Sequence, residues 1–157
     1  MEKFTTNGTN NANSTNINQN NDNLFVNILG NKGNKIIYKD ECYHIYNAIY
    51  EVHNKLGNGF LESVYQEALE IELKRHKIPF EPQKMINIYY NDKPLTQYFK
   101  ADLICFEKIL LELKAVTKIT NEHKAQLINY LAATKIKLGL LVNFGTYPKV
   151  EICRIVR

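Results

Sequence analysis

The chain has 157 residues, 45% of them hydrophobic, no tryptophan and a formal net charge of +4 at pH 7. That length fits one folded domain, and so small a positive excess is unlike a protein built to coat duplex nucleic acid. No apolar run reaches the length of a membrane helix and Met1 leads into a polar tract, so a soluble, cytoplasmic protein without a membrane partner is expected.

From Met1 to about Asn34 the sequence is mostly Asn with Thr, Ser, Gln and Gly. Such a composition buries too little apolar area to offset the entropy of ordering it. It reads as an Asn-rich disordered leader over residues 1–37, ahead of a folded domain over 38–157. Up to residue 39 four lysines oppose Glu2 and Asp22, so the two parts share the net charge about equally. Cys42, Cys105 and Cys153 have no CxxC spacing, and Cys105 and Cys153 lie in apolar runs suited to reduced, buried thiols.

Residues 40–55 place Ile45, Ala48, Ile49 and Val52 at helical spacing, with Asp40 at the cap or in the first turn. Gly57-Asn58-Gly59 stops this helix. A second is predicted from about Phe60 to His76, with Leu61, Val64, Tyr65, Ala68, Leu69 and Leu73 on one broad apolar face, and Pro79 prevents its continuation. The period then changes. Met85–Tyr90, a turn at Asn91-Asp92-Lys93, Leu95–Cys105, the connection Phe106-Glu107-Lys108 and Ile109–Ala115 predict three antiparallel strands. Residues 121–134 form a third helix capped by Thr120 or Asn121, with Ala125, Leu127, Ile128, Leu131 and Ala132 inward. Leu140-Leu141-Val142 is a strand buried on both sides, and Val150–Ile155 an alternating edge strand. The order predicts an α/β domain, a mixed sheet flanked by helices.

A three-residue connection places Asp102 opposite Glu112, and directly opposed residues have Cβ atoms roughly 5 Å apart. Two carboxylates that close repel each other, yet they make natural oxygen ligands for Mg²⁺ or Mn²⁺. Lys114 points the same way as Glu112, where it could orient a nucleophile, and Leu113 offers a backbone carbonyl as a further hard ligand. Alone, a Glu-Leu-Lys strand is most often a solvated face. Asp102 argues otherwise, being a poor strand former among apolar neighbours. Glu62 and Tyr65 lie one turn apart, as do Gln126 and Tyr130, pairs that by themselves read as a surface polar residue beside a core tyrosine. The histidines make no zinc signature.

The stretch Gly59-Phe60-Leu61-Glu62-Ser63-Val64-Tyr65 resembles the signature of the GxxExxY family, in the PD-(D/E)XK nuclease superfamily. The likeness extends through His53–Gly59, Lys100-Ala101-Asp102-Leu103-Ile104, Glu112-Leu113-Lys114-Ala115-Val116, Gln126–Leu131 and Gly139–Gly145, nearly all of residues 40–157. Asn58 departs from a frequent proline, which concerns the turn. The resemblance implies a restriction-endonuclease-like core with Asp102, Glu112 and the Leu113 carbonyl as metal ligands, Glu62 as the helical carboxylate, Lys114 as the catalytic lysine and Gln126 as a helical polar residue. It implies a Mg²⁺-dependent nuclease, with Mn²⁺ as an alternative metal, acting on DNA or RNA. Because no specificity module accompanies the domain, limited sequence preference or dependence on a protein partner is expected, and a homo-oligomer could widen the binding surface. The competing expectation is a non-catalytic nucleic-acid-binding or protein-interaction module on the same fold.

Overall fold

The structure is a computed structural model and describes residues 36–157. The leader expected over 1–37 lies outside the described residues except for Ile36 and Ile37. The elements are α1 (Lys39–Leu56), α2 (Glu62–Arg75), β1 (Phe80–Tyr90), β2 (Lys93–Cys105), β3 (Ile109–Lys114), α3 (Asn121–Thr134), β4 (Leu138–Asn143) and β5 (Glu151–Val156). The strands form one sheet in the order β1-β2-β3-β4-β5, in which β3 and β4 are parallel and every other neighbouring pair is antiparallel. The single parallel pair follows from α3, which carries the chain from the end of β3 back to the start of β4.

Local chemistry sets the boundaries. Asp40 and Glu41 occupy the first turn of α1, while the cap position falls to Tyr38 in the left-handed region. Thr120 caps α3 in a reciprocal box: its hydroxyl accepts from the His123 amide, and its own amide donates to the His123 ring. Asn91 and Asp92 both take positive φ and close a two-residue hairpin between Tyr90 and Lys93, a conformation Asn and Asp tolerate better than most residues.

The sheet buries both faces at its centre. Ile86, Ala101, Ile104, Leu110 and Leu141 pack with Leu127, Tyr130 and Leu131 of α3. Leu103, Leu111 and Leu113, which alternate with Ile104 and Leu110, are also buried, α1 packs on α2, and α2 meets β3. Every residue of β4 is buried, as a strand covered on both sides requires.

Two expected faces are narrower than the periodicity suggested. At the start of α2 the cap residue Leu61 is 75% exposed and Val64 is also exposed, leaving Tyr65, Leu69 and Leu73 as the helix's buried apolar stripe. On α3, Ala125, Ile128 and Ala132 face out, because the face the helix buries consists of Leu127, Tyr130 and Leu131. Further, β1 begins at Phe80, ahead of the expected Met85, since the segment after Pro79 already pairs with the inner end of β2.

The turn after β4 leaves no space for a side chain. A Cβ on Gly145 would lie 2.4 Å from the Val116 carbonyl oxygen and 2.6 Å from its nitrogen, whereas one on Gly139 would meet only the Leu127 side chain. Backbone cannot yield as a leucine can. Gly145→Ala should therefore cost about 1–3 kcal/mol in urea unfolding, and Gly139→Ala should cost less.

Candidate functional site

The register between β2 and β3 pairs Leu103 with Leu111 and Cys105 with Ile109. Continued by one step it sets Asp102 opposite Glu112, as the three-residue connection predicts, but the regular ladder stops short of that step. Asp102 Oδ2 instead accepts the Leu113 amide at 2.8 Å. The side chain stands in for a backbone acceptor, so the strands part without leaving that amide unpaired.

Glu112 is only 3% exposed. Its Oε1 accepts from Lys114 Nζ at 2.7 Å, and its Oε2 is buried without a hydrogen-bond partner. Burial, then the charge of Asp102, pushes the Glu112 carboxyl up to about 7 against the pull of Lys114. Burial raises Asp102 as well, opposed by the Leu113 amide and by Lys114. Burial opposes the charge on Lys114, but its bond to Glu112 and the charges of Glu112, Glu62 and Asp102 prevail and raise its pKa.

Glu62 opens α2 and takes the Ala115 amide at 3.3 Å, which brings it to the exit of β3 beside Lys114. Its position is fixed by the loop before it. The Tyr65 hydroxyl donates to the Gly57 carbonyl at 2.9 Å and accepts from the Phe60 amide at 3.2 Å, while the Tyr65 ring stacks on Phe144 at 4.6 Å. Gln126 donates from Nε2 to the Tyr130 hydroxyl at 2.7 Å. That hydroxyl feels Glu112, Lys114 and Asp102, which places the pair at the border of the cluster.

Two participants escaped the sequence reading. Gln83 on β1 donates from Nε2 to Asp102 Oδ1 at 3.4 Å and to Gln66 Oε1 at 2.6 Å, linking β1, β2 and α2. Asn143, fully buried at the end of β4, accepts the amides of Val116 and Gly145 on one oxygen, each at 3.0 Å, and so ties the exits of β3 and β4 together. Glutamine in a strand and asparagine before a loop carry no distinguishing signal; only their partners across the fold reveal them.

The carboxylates of Asp102 and Glu112 supply hard oxygen donors of the kind Mg²⁺ and Mn²⁺ take, and the unpartnered Glu112 Oε2 is an acceptor that a cation would satisfy. Among the described residues no group of three or more His, Cys, Asp or Glu side chains is placed to hold a metal ion. The fit thus rests on the two strand carboxylates, with Glu62 engaged by the Ala115 amide.

A mixed sheet flanked by helices, with acids and a lysine gathered where β2 and β3 part, defines the restriction-endonuclease-like class. The chain belongs to the PD-(D/E)XK nuclease superfamily, whose family model matches residues 39–155, and within it to the GxxExxY family. Among solved structures, the crystal structure of SSO0001 is similar at 25% sequence identity and a TM-score of 0.46, over 61% of this chain. The match spans 50% of that protein's length. No curated protein matched the chain. No helix among the described residues is long and apolar enough to cross a membrane.

The raised Glu112 carboxyl has a consequence for stability. Between its ordinary value of 4.5 and about 7 the folded state holds a proton that the unfolded chain has released. Stability therefore falls as pH rises through that window. Full expression of the shift corresponds to roughly 3 kcal/mol, and Glu112→Gln should remove most of the slope. Urea unfolding of both proteins at about pH 5 and about pH 8 measures it; equal slopes would contradict the assignment.

Proposed function

We propose that this chain is a Mg²⁺-dependent nuclease hydrolysing phosphodiester bonds of DNA or RNA, with Mn²⁺ able to replace Mg²⁺. The observation that carries the reading is the half-buried Asp102 beside the buried Glu112, with Lys114 bonded to Glu112 and the other Glu112 oxygen left without a partner. Asp102, Glu112 and the Leu113 carbonyl would hold the metal, and Glu62 would join them directly or through water. A bound divalent ion would polarise the scissile phosphate and make water acidic enough to attack it at neutral pH.

The protein's own groups have separate tasks. Lys114 keeps its proton because of its acidic neighbours, so it brings a fixed positive charge to the phosphoryl oxygens or to the attacking water. Lys114 is now bonded to Glu112, and a cation held by that carboxylate would leave the ammonium available for that purpose. Gln126, now held by Tyr130, carries donors able to turn toward a phosphate or a metal-ligating group. Gln83 and the Leu113 amide hold Asp102 in one orientation, and Tyr65 fixes the loop that delivers Glu62.

A second reading has its own support. Lys114 and Gln126 are both engaged inside the protein, and no three-ligand group stands ready among the described residues. That arrangement suits a non-catalytic module that binds nucleic acid or a protein through the same fold. Calorimetry with millimolar Mg²⁺ or Mn²⁺ separates the two, because only the nuclease reading requires Asp102 and Glu112 to bind the metal.

Purified full-length protein should cleave at least one of single-stranded DNA, duplex DNA or RNA when Mg²⁺ or Mn²⁺ is supplied. Asp102→Asn, Glu112→Gln and Lys114→Ala should each lower the rate by about 100-fold or more, the scale seen when a group stabilising transition-state charge is removed. Wild-type protein no more active than these variants on the whole panel would defeat the proposal. We assign this activity to residues 38–157. Removal of residues 1–34 should leave both the cleavage rate and the melting temperature unchanged, and a marked fall in either would give the leader a part in the domain.

A further inference from the structure

Among the described residues the sheet ends on two edge strands, β1 and β5, each hydrogen-bonded to one neighbour. An edge strand presents a row of unpaired N–H and C=O groups, and folds blunt it with charge, proline, a kink or short length. β5 is guarded in that way: it has six residues, it carries Glu151 and Arg154, and the Arg154 guanidinium donates to the Ile37 carbonyl at 3.0 Å. β1 has eleven residues and is guarded over its first half alone. There Pro82 lacks an N–H, Gln83 takes a φ of +52°, and Lys84 is paired with Glu81 at 2.6 Å. The remainder, Met85-Ile86-Asn87-Ile88-Tyr89-Tyr90, has no charge, proline or glycine.

This stretch is open as well as uncharged. Met85 is 58% exposed, Tyr89 62% and Tyr90 69%, and the exposed Tyr98 of β2 stands opposite Asn87. A groove of about 480 Å³ lies between β1 and the end of α3, lined by Lys84, Ile86, Asn87, Tyr89, Thr134 and Ile136 among others. The register shift in the hairpin puts its extra residues in β2, since one residue separates Asn87 from Tyr89 and three separate Pro94 from Tyr98. From Lys84 to Tyr90 no residue of β1 takes a positive φ. A further strand can therefore pair along that whole length.

We propose that the strand which pairs there is β1 of a second copy, antiparallel across a two-fold axis, joining two five-stranded sheets into one; the pairing is independent of any activity at the Asp102–Glu112 cluster. Its register follows from the guards. With Asn87 opposite Asn87, the stretch from Lys84 to Tyr90 pairs with itself and leaves both the kink at Gln83 and the left-handed Asn91 outside. An axis at Ile86 would set the kinked Gln83 opposite Tyr89, and one at Ile88 would set Asn91 opposite Met85. In the Asn87 register Met85 faces the partner's Tyr89, Ile86 the partner's Ile88, and Lys84 the partner's Tyr90, so apolar groups meet apolar groups, an ammonium meets a ring, and no like charges are opposed. The groove beside Lys84 and Ile86 receives the partner's Tyr90 and Ile88. At about 200 Å² for a whole side chain, the exposed parts of Met85, Tyr89, Tyr90 and Tyr98 offer roughly 500 Å² per copy, and a pair reaches the roughly 1,000 Å² a specific interface needs.

Sedimentation velocity of full-length protein, free of nucleic acid and at up to roughly 100 μM, should show a monomer–dimer equilibrium, as an interface of this modest size gives. Asn87→Lys sets two ammonium groups face to face at the axis and should raise the dimer Kd about fivefold or more, as should Asn87→Asp. An equimolar mixture of these two variants should regain the dimer, because Lys then faces Asp; loss of folding cannot produce that recovery. Asn87→Cys should form an intermolecular disulfide on mild oxidation, since facing Cβ atoms lie about 5 Å apart. Ile71→Cys, on the exposed side of α2, should cross-link no more than wild type, whose Cys42 and Cys105 are buried and Cys153 half-buried. Circular dichroism melting confirms that the variants, all at exposed positions, are folded.

A wild type that stays monomeric at every concentration would overturn the pairing and leave the edge to an extended segment of another protein. A dimer that both charged variants leave intact would overturn it too, by placing the contact on a different surface. So would a mixture of the two variants that stays monomeric, or an Asn87→Cys protein that cross-links no more than Ile71→Cys.

Discussion

The 2.8 Å bond from the Leu113 amide to Asp102 Oδ2 is the contact on which the rest of the site depends. In an uninterrupted antiparallel ladder a backbone carbonyl would serve that amide, and β2 and β3 would stay zipped through Lys114. With a side chain as acceptor the strands separate one step early. The separation opens the end of β3 so that Glu112 and Lys114 share space with Asp102 and with Glu62 arriving from α2. It also explains why an aspartate is tolerated in an apolar strand: its carboxylate is part of the hydrogen-bond framework, and removing it would strand a buried amide at a cost of about 1–3 kcal/mol.

Around that opening the fold is stapled by groups with no acid–base task. Tyr65 closes Gly57–Phe60 by giving and receiving hydrogen bonds, and its stacked partner Phe144 belongs to the turn after β4. His53 ties in the same region, its Nε2 donating to the Thr146 carbonyl at 3.0 Å. Gly57 and Gly59 take φ of +67° and +106°, the latter a value that side-chain-bearing residues avoid, so the loop can turn sharply into α2. The signature thus has a mechanical meaning: its glycine bends the chain, its tyrosine locks the bend, and its glutamate is delivered to the exit of β3.

Much of this was legible because local rules and the final packing agree. The connection at Phe106-Glu107-Lys108 is symmetric about Glu107, so the register of β2 against β3, Cys105 with Ile109 and Leu103 with Leu111, followed from counting, and Phe106 and Glu107 accept positive φ to keep it. Thr120 announced the start of α3, and its end at Thr134 matched the apolar period. Periodicity failed where it had to say how much of a face is covered. Leu61, Val64 and Ile128 continue apolar stripes in sequence yet stand exposed, because each helix meets the sheet along a line rather than a broad surface. Gln83 was hidden for a different reason: its positive φ and its two long-range partners depend on where α2 and β2 lie.

The protein contains its own control for the meaning of the acid cluster. Glu72 is also a buried carboxylate, but Lys55 reaches one oxygen at 2.7 Å and Arg75 the other at 2.6 Å. Burial pushes its pKa up, and these two bonds overcome that, so Glu72 ends below the ordinary carboxylate range. There the fold has neutralised what it buried. At Glu112 a single lysine serves a neighbourhood of three acids, the carboxyl sits near neutrality, and one oxygen is unpartnered. Apolar residues of similar volume would stabilise such a position at least as well as an ion pair does, so packing gives no reason for the second acid. A missing positive charge would, and under the proposed nuclease reading a divalent cation would supply it without enlarging the core.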